Sequence, residues 1–380
     1  MDVRMMAGLL AETYRFRQHD RETRVQLKAH QTRALYRLRA HAYANSPFYQ
    51  QFHKNLMDRP FHELPVLTKE MLLERFDELV TDRRVRLTDV EAHLACARSS
   101  ERYLGRYWVN TTSGSSGQAG IVLFNHAEWV AVLAAHARAH AWAAMHRGLT
   151  HQIRTAWVTS PNPWHVSAQI GAMARSCWMP ELRLDTDMPI VAIVEHLNAW
   201  QPEVLVADAE MAHRLADEQC AGRLHIAPAD IFSHSEMLTE RSRGTIEAVW
   251  GQRLFDQYVT AEAGVIAAEC AEHHGLHILE DQVIVEVVDE RNRSVPHGAE
   301  GNKVLITTLF SRTLPLIRYA MPDRVRLATK PCSCGRPLAL IETVQAHAQD
   351  VLVFPANAGT TIPVPQHSVY EPTGTVPASG

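Results

Sequence analysis

A run of hydroxyl and glycine residues lies in the first half of this 380-residue chain. It reads TTSGSSGQAG over residues 111–120, between a segment that we expect to be a strand and one that we expect to be a helix. Glycines let backbone N–H groups turn inward to form an anion-binding nest, and hydroxyls add donors for phosphate oxygens. A helix N-terminus behind the loop would add a favourable dipole. The run predicts a phosphate-binding loop, and its alternative is a flexible Ser/Gly turn.

Two well-defined loop motifs do not fit this run. No Gly-Lys-Ser/Thr follows it, so it is not a Walker loop. It also lacks the G-x-S-x-G pattern, which disfavours a hydrolase nucleophile elbow.

Cysteines in the last third of the chain form a second candidate site. Cys332-Ser-Cys334-Gly has the spacing of a metal knuckle, and an earlier CAEHHGLH stretch offers further ligands. Four thiolate and imidazole ligands suit tetrahedral zinc. The alternative is that the thiols are simply buried and reduced. The partners of the knuckle would be Cys270 and one of His273, His274 and His277.

The elements that must position these residues alternate through the middle of the chain. Such alternation indicates an α/β fold with parallel strands. From residue 276 the pattern becomes β-branched and alternating, which predicts an antiparallel, barrel-like subdomain. Strands are expected near 107–111, 154–159, 203–207, 231–232, 253–258, 282–289, 303–310, 315–319 and 325–327, and helices near 126–147, 166–177, 189–200, 209–218 and 237–250.

The two ends of the chain have a different character. Residues 15–45 have apolar positions at helical spacing and predict an amphipathic helix or helix pair. Thr68 stands before an apolar run as a helix start. Residues 355–380 are rich in Pro, Thr and Gly and predict a tail or linker.

Composition excludes several classes of protein. Hydrophobic residues make up 46% and charged residues 21%, as in globular proteins, and 38 basic against 42 acidic residues leave a net charge of −4. That charge disfavours nucleic-acid and anionic-membrane partners. No apolar run is long enough to span a membrane, and the N-terminus has no export signal, so we expect a cytoplasmic protein with reduced cysteines.

Taken together, five stretches resemble, in order and spacing, the motifs of adenylate-forming enzymes. The stretch CSCGR (332–336), together with SPFYQQF and LPVLTKEML near the start of the chain, is similar to the phenylacetate–coenzyme A ligase-like branch. The resemblance covers about residues 30–355. The five stretches are TTSGSSGQAG (111–120), Ser235-Glu236, DQYVTAE (256–262), PLIRY (315–319) followed by Asp323, and CSCGR (332–336).

The resemblance implies that the matching residues bind ATP and Mg²⁺. Glu262 would hold Mg²⁺, a hard cation that suits a carboxylate, and Asp323 would accept both ribose hydroxyls. Tyr258 would stack on adenine. The rest of the adenine site would be Ser235, Glu236 and Asp256. The β- and γ-phosphates would lie against Thr112, Ser113, Gly114, Ser115, Ser116 and Gly117, with Thr112 and Glu262 as catalytic residues.

The resemblance also narrows the zinc ligands. Some members of the branch hold zinc through Glu-Cys and Gly-Leu-His elements, which implies Cys270 and His277 beside Cys332 and Cys334. Because all four positions would be filled by protein, such a zinc ion would be structural.

Three departures from the family pattern limit the expected activity. Val259 and Ala261 stand where the family has Gly and Thr, and the lost hydroxyl contact would cost about 1–3 kcal/mol. In the hinge region, His347 replaces an Arg while Asp350 matches. The sequence ends before the small C-terminal domain that supplies a catalytic Lys in the family, as in some short relatives from secondary metabolism. We therefore expect slow adenylation unless another group assists.

Residues of the acid pocket are predicted on the same resemblance. Trp164 and His165 follow a Pro-rich turn in a region that lines the acyl pocket of the branch, and Asp208 would form another wall. An aromatic side chain with small neighbours suits an aromatic or heteroaromatic acid. Ordinary packing at a helix start explains Trp164 and His165 equally well.

The expected fold is α/β, the large N-terminal domain of adenylate-forming enzymes, with two mostly parallel sheets, flanking helices and a small antiparallel β subdomain. Residues 1–100 would form a helical leader and the start of this domain, and 101–275 the nucleotide-binding core. Residues 276–354 would form the β-rich subdomain with the zinc knuckle, and 355–380 the tail where a C-terminal domain would begin.

The expected function is ATP-dependent activation of a carboxylic acid to an acyl-adenylate, with transfer to coenzyme A, a carrier protein or another acceptor. A second hypothesis is an impaired nucleotide- and acid-binding module that acts with a partner. A third is a structural zinc-bearing domain with no nucleotide role. The branch often forms homodimers, so we expect a homodimer.

Overall fold

The computed structural model describes residues 3–97, 101–112, 119–143, 152–174, 180–234, 237–251, 253–345, 351–355 and 361–365. The helices within these ranges are Val3–His19 (α1), Arg24–Asn45 (α2), Pro47–Phe52 (α3), Lys69–Glu74 (α4), Phe76–Leu79 (α5), Leu87–Cys96 (α6), His126–Trp142 (α7), Val166–Ala174 (α8), Ile190–Trp200 (α9), Ala209–Cys220 (α10) and Glu240–Trp250 (α11), with a 3-10 turn at Phe61–Glu63.

Strands begin after the six N-terminal helices. They are Trp108–Thr111 (β1), Ile121–Phe124 (β2), Thr155–Thr159 (β3), Glu181–Asp185 (β4), Val204–Asp208 (β5), Asp230–His234 (β6), Leu254–Thr260 (β7), Gly264–Glu269 (β8), Leu276–Ile278 (β9), Val283–Val288 (β10), Lys303–Thr308 (β11), Tyr319–Met321 (β12), Arg324–Leu327 (β13), Leu340–Gln345 (β14), Val351–Pro355 (β15) and Thr361–Pro365 (β16).

A nine-stranded mixed sheet organises the described part of the chain. Its order is β13-β14-β9-β8-β7-β6-β5-β3-β4. Pairing is parallel from β4 to β7 and antiparallel from β7 to β13. Strand β7 is therefore the strand at which the direction of pairing changes. A three-stranded antiparallel sheet, β10-β11-β12, and the hairpins β1-β2 and β15-β16 lie outside it.

Both faces of the parallel half are covered, which explains its apolar strands. Every residue of β3 and β5 is buried, as expected where helices cover both faces of a parallel sheet. On one face, α9, α10 and α11 pack through residues such as Leu197 and Leu215. On the other face, α7 contributes Trp129 to the main core.

Local signals explain where several helices begin. Thr68 accepts a hydrogen bond from the Met71 N–H and caps α4, as the sequence predicts. Helix α7 begins with a capping box in which Asn125 and Glu128 satisfy each other's backbone N–H groups. The predicted helix pair at 15–45 is present as the end of α1 and the whole of α2.

The α/β class and the β-rich region after residue 276 are confirmed, with differences in how the strands associate. The parallel and antiparallel strands share one large mixed sheet, where two mostly parallel sheets were expected. The expected strand at 315–319 is wrong for residues 315–318, and β12 begins only at Tyr319. The reason is Arg318, which has a φ of +52° and interrupts extended backbone. Strand β2 lies in a segment for which the sequence analysis predicted no strand.

Helix α2 is the longest of the described helices, and it carries several Arg and Lys residues. Within the described ranges, no helix combines the length and the apolar character that crossing a membrane requires.

Candidate functional site

Tyr258 and Asp323 meet at the edge of the mixed sheet. Tyr258 lies on β7, and Asp323 lies in the turn between β12 and β13. The Tyr258 hydroxyl donates to Oδ2 of Asp323 over 2.6 Å. Burial raises the pKa of Tyr258, and the charge of Asp323 raises it further, so this hydroxyl keeps its proton. The two residues predicted to bind adenine and ribose are therefore in direct contact.

Glu262 lies beside this pair, in the turn between β7 and β8. It is buried and shares a side-chain hydrogen bond with Tyr319. Burial raises the pKa of Glu262, the charge of Asp323 raises it further, and Lys69 opposes that rise. The carboxylates of Glu262 and Asp323 repel each other, so they can hold a divalent cation. The ammonium group of Lys69 beside them can bind phosphate oxygens.

The base of the predicted phosphate loop closes next to these residues. Thr112 Oγ1 accepts the Gly120 N–H over 2.7 Å, and the Thr112 N–H donates to the Gly120 carbonyl over 3.0 Å. A Cβ added at Gly120 would lie 3.2 Å from the Thr112 side chain and 3.8 Å from Cε of Lys69. The predicted ligands Ser113, Gly114, Ser115, Ser116 and Gly117 lie outside the described residues.

Lys69 is the functional candidate that the sequence analysis missed. Its side chain lies beside Gly120 and acts electrostatically on Glu262, so it joins the loop base to the carboxylates. The available signal was its place in LPVLTKEML, directly after the capping residue Thr68. That stretch resembles the ligase branch, but its sequence alone assigns no role to the lysine.

Asp256 lies further back on β7, beside Ser233 on β6, and the predicted adenine-site residues Ser235 and Glu236 lie outside the described residues. Its Oδ1 accepts from the Ser233 hydroxyl over 3.1 Å, and its own N–H donates to Glu269 over 2.9 Å. Burial and the charge of Glu269 raise the pKa of Asp256 to about 7, although Arg243 opposes this. This carboxyl therefore titrates near neutrality, where it can accept or donate a hydrogen bond.

The predicted acid-pocket residues surround the same sheet edge. The Trp164 carbonyl accepts the Thr111 N–H over 3.0 Å, so this residue lies next to the base of the phosphate loop. Burial lowers the pKa of His165. Asp208 ends β5, and its Oδ1 lies 3.6 Å from Nδ1 of His234 at the end of β6. Ligands of open α/β sheets bind at these carboxyl ends.

Two histidines on α7, the half-buried His136 and the buried His140, lie close enough to His234 to act on it electrostatically, and the sequence analysis missed both. The ring of His140 stacks on Phe232 at 3.9 Å, and the rings of His136 and His140 are 4.2 Å apart. Burial lowers the pKa of His136 to about 3 and that of His234 to about 4, so both are neutral at physiological pH. The i, i+4 spacing of the pair on one helix was the available signal.

The structure brings together the four residues that the resemblance implies as zinc ligands. One ligand atom from each of Cys270, His277, Cys332 and Cys334 lies within 4.8 Å of each of the others. Sγ of Cys270 is 3.7 Å from Sγ of Cys332, too far for a disulfide, and Nε2 of His277 is 3.3 Å from Sγ of Cys334. Zn–S bonds of ~2.3 Å place two sulfurs of a tetrahedral ion about 3.8 Å apart. The donor set and its spacing therefore fit zinc.

The structure also shows which of the three candidate histidines lies at the cysteine cluster. His277 lies on β9, is buried and faces Cys334. His273 stacks on Phe255, and His274 Nδ1 contacts the Ser333 hydroxyl. Only His277 of these three belongs to the four-residue cluster.

A basic cavity of about 530 Å³ lies elsewhere, against Tyr107, Asn125 and Arg312. Tyr107 and Asn125 flank the β1–β2 hairpin at the end opposite Thr112 and the loop. This cavity is therefore separate from the cluster around Glu262 and Asp323.

No protein-family model matches the chain. A 167-residue stretch is 27% identical to phenylacetate-coenzyme A ligase of Thermus thermophilus, covering 42% of this chain and 37% of that protein. Protein CapK of Staphylococcus aureus is 28% identical over 138 residues, covering 35% of this chain and 28% of that protein. Among solved structures, an open conformation of 2-hydroxyisobutyryl-CoA ligase superposes with a TM-score of 0.66 at 19% identity, covering 90% of this chain and 73% of that one.

The chain is thus similar in sequence to phenylacetate-coenzyme A ligase over part of its length, and similar in fold to 2-hydroxyisobutyryl-CoA ligase. The structural match shows that the chain has the fold of these enzymes. The sequence match spans about two fifths of this chain and a smaller share of the curated ligase.

The structure shows where Val259 and Ala261, which depart from the motif of adenylate-forming enzymes, are located. Val259 ends the regular part of β7, where a bulge shifts the register between Tyr258 and Val259. Ala261 is buried in the turn before Glu262, so no hydroxyl is available at that position. The hinge segment with His347 and Asp350 lies outside the described residues.

Proposed function

We propose that this chain binds ATP and a carboxylic acid and joins them as an acyl-adenylate. The observation that carries the proposal is the convergence of four elements on one cluster. The base of the phosphate loop, α4 through Lys69, the β7–β8 turn through Glu262, and the β12–β13 turn through Asp323 all meet there. The cluster combines the positive charge of Lys69, which suits phosphate oxygens, with the carboxylate of Asp323, which suits ribose hydroxyls.

In the proposed reaction, a carboxylate oxygen of the acid attacks the α-phosphorus of ATP. The bond from that phosphorus to the bridging oxygen breaks, and pyrophosphate leaves with the electron pair. The Lys69 ammonium group, which lies beside the loop base, would bind and orient the leaving phosphates. Asp323 would accept the ribose hydroxyls, and the Tyr258 hydroxyl would keep that carboxylate in position. Orientation of this kind is the main protein contribution to phosphoryl and nucleotidyl transfer.

Magnesium would be held by Glu262, and when bound it would neutralise charge on the phosphates. Burial and the neighbouring Asp323 raise the pKa of Glu262 without the cation, and binding of a cation would favour its charged form.

Zinc would be held by Cys270, His277, Cys332 and Cys334, where it would join the β8–β9 connection to the loop before β14. We assign it a structural role, because four protein ligands leave no open coordination position.

The onward step that we propose is attack of the coenzyme A thiol, as a thiolate, on the acyl carbon of the adenylate, with release of AMP. A carrier-protein thiol is the alternative acceptor. We propose an aromatic or heteroaromatic acid, supported by the aromatic ring of Trp164 beside the base of the predicted phosphate loop and by the ring of His140, which stacks on Phe232 of β6. A cytoplasmic homodimer remains our expectation from the sequence.

A binding module with impaired catalysis is the second candidate. Ala261 favours it, because the family places a hydroxyl there that contacts the α-phosphate.

Calorimetric titration with AMP tests nucleotide binding. We expect Asp323→Asn to weaken AMP binding about 10–100-fold, since hydrogen bonds to charged groups contribute about 1.5–3 kcal/mol. Asp217→Asn, an exposed carboxylate on α10, is the matched control and should bind AMP like the parent chain. No binding of AMP by the parent chain at millimolar concentration would overturn the nucleotide assignment.

Hydroxamate formation with ATP, Mg²⁺ and a panel of aromatic acids tests catalysis. We expect product from the parent chain and a strong loss with Glu262→Gln. A thermal-shift screen chooses the acid, because a ligand that binds only the folded state raises its stability. AMP binding without hydroxamate from any acid that shifts the melting temperature would favour the binding module over the enzyme.

A further inference from the structure

We propose a further metal site at the turn between α1 and α2, formed by His19, Glu22 and His30. One ligand atom of each residue lies within 4.8 Å of each of the others. The two imidazole rings have centroids 4.8 Å apart, and Nδ1 of His30 lies 3.0 Å from Oε2 of Glu22. Zinc bonds of ~2.0–2.1 Å to nitrogen and oxygen place two ligand atoms of a tetrahedral ion about 3.3 Å apart. The carboxylate and the imidazole are thus already close to the required spacing.

A buried carboxylate orients His19 for this role. Nδ1 of His19 lies 2.6 Å from Oδ2 of Asp281, which leaves Nε2 as the nitrogen that would coordinate an ion. Asp281 is fully buried, and its other oxygen accepts from Nη1 of Arg138 over 2.7 Å. A carboxylate that accepts the N–H of a ligating imidazole fixes the tautomer and raises the basicity of the ligand. Asp281 is therefore a positioning residue in the proposed site.

The position of the three side chains allows an ion to enter from solvent. His19 is 12% exposed, Glu22 17% and His30 34%. Two imidazoles and one carboxylate form a three-ligand set, which leaves a fourth position to water. Because the set holds nitrogen and oxygen and no sulfur, it suits Zn²⁺, Co²⁺ or Ni²⁺. This chemistry differs from the three-thiol cluster around Cys332, and the difference can be measured.

The site would connect the end of α1 to the second turn of α2. His19 is the last residue of α1, Glu22 lies in the turn, and His30 lies on α2. Without an ion, the contact between His30 and Glu22 is a partly exposed pair, and such pairs contribute at most about 1 kcal/mol. With an ion, three ligands would hold the turn together.

Cobalt loading of the whole chain tests the proposal. The protein is stripped of metal, titrated with Co²⁺, and measured by metal analysis and absorption spectroscopy. Thiolate ligands give a near-ultraviolet charge-transfer band, whereas a nitrogen and oxygen site gives only the weaker visible bands. The proposed site is therefore the Co²⁺ that binds without a thiolate band and is lost or weakened in His30→Gln. The variants are His30→Gln, Cys332→Ser with Cys334→Ser, and His196→Gln as an exposed histidine control on α9.

We expect the double cysteine variant to keep one Co²⁺ with visible bands and no charge-transfer band. We expect His30→Gln to lose that ion, or to bind it at least ~10-fold more weakly, with any thiolate band unchanged. His196→Gln should match the parent chain. The proposal is overturned if no ion binds without a thiolate band, or if His30→Gln binds as tightly as His196→Gln. Should the cysteine variant fail to fold, the His30→Gln comparison in the parent chain decides alone, because it leaves the cysteines intact.

Discussion

Asp256 shows how a single side chain can respond to pH in this fold. Its carboxyl accepts one hydrogen bond from Ser233, but it is buried near Glu269, which raises its pKa to about 7. In the unfolded chain the same carboxyl has an ordinary pKa near 3.8. Between these values the folded state holds a proton that the unfolded state has lost, so this residue reduces stability as pH rises from about 4 to about 7.

Replacement of Asp256 by Asn removes that titration. We expect the parent chain to lose stability relative to Asp256→Asn as pH rises from about 4 to about 7, the interval between the unfolded and folded pKa values, and the difference to level off about one unit above that interval. Urea denaturation at several pH values measures it. A parent chain whose stability relative to the variant rises with pH would show that the folded state favours the charged carboxyl.

Strand β7 is the element on which the candidate site depends. It pairs in parallel with β6 and antiparallel with β8, and it carries Asp256 and Tyr258 toward the turn with Glu262. Ligand sites in open α/β sheets lie outside the carboxyl ends of the parallel strands. Strand β7 belongs to both the parallel and the antiparallel half of the sheet, so residues of the two halves meet at its carboxyl end.

The β8–β9 connection depends on one glycine. Gly275 has a φ of +115°, and a Cβ there would lie 2.5 Å from the Ile341 carbonyl oxygen. We expect Gly275→Ala to lower the free energy of unfolding by about 2–5 kcal/mol, from backbone strain and overpacking together. Gly222→Ala is the control, because that glycine also has a positive φ but nothing within 4 Å. Chemical denaturation measures both, and equal losses would contradict a clash with β14.

The cysteine cluster joins elements that are distant in sequence. If zinc occupies it, a strong chelator should lower the melting temperature of the parent chain by several degrees, because metal-binding energy adds to folding energy. Cys332→Ser should melt lower than the parent chain and respond little to the chelator. Cys220→Ser, which removes an exposed thiol on α10, should behave like the parent chain. A parent chain that contains no zinc and ignores the chelator would refute the assignment.

At the scale of the whole molecule, the N-terminal helices are held to the sheet domain by a buried ionic network. Arg138 on α7 is 2% exposed and contacts Asp20 after α1 and Asp281 after β9, each over 2.7 Å. Burial alone would raise the pKa of Asp281, but Arg138 and His19 hold it well below its ordinary range. Helix α1 also packs along α7, so polar and apolar contacts act on the same interface.

Replacement of Arg138 by Met should break this attachment. We expect a loss of about 3–5 kcal/mol in the free energy of unfolding at pH 7, because the buried carboxylate of Asp281 and the partly buried carboxylate of Asp20 lose their shared cation. Since the pKa of Asp281 is lowered in the folded state, its contribution is present above the unfolded pKa and decreases in acid. The loss should therefore shrink below about pH 4, as the unfolded carboxyl becomes protonated.

Urea denaturation at pH 7 and in mild acid checks this prediction. Arg33→Met, which removes an exposed arginine from α2, is the control and should change stability by less than about 0.5 kcal/mol. A small loss with Arg138→Met at pH 7 would mean that the network adds little net stability.

The amino-acid sequence by itself determined the order of the motifs and the α/β class. The hydroxyl and glycine run, the Tyr258–Glu262 segment and the two-cysteine knuckle are local patterns. Residue type and spacing are enough to recognise them, because each acts within one turn or strand. The same holds for the Thr68 cap and for the buried apolar strands.

Tertiary structure alone decided which of these residues meet. Lys69 precedes Glu262 by almost 200 residues, and only the packing of α4 against the loop base brings them together. Similarly, the pairing of β9 with β14 turns His277 toward Cys334 and leaves His273 and His274 outside the cluster. Arg318 adopts its positive φ where its N–H donates to Thr307 on β11, a long-range hydrogen bond that local propensity does not encode. Contacts of this kind depend on strand register and helix packing, which arise from the whole chain and not from any one segment.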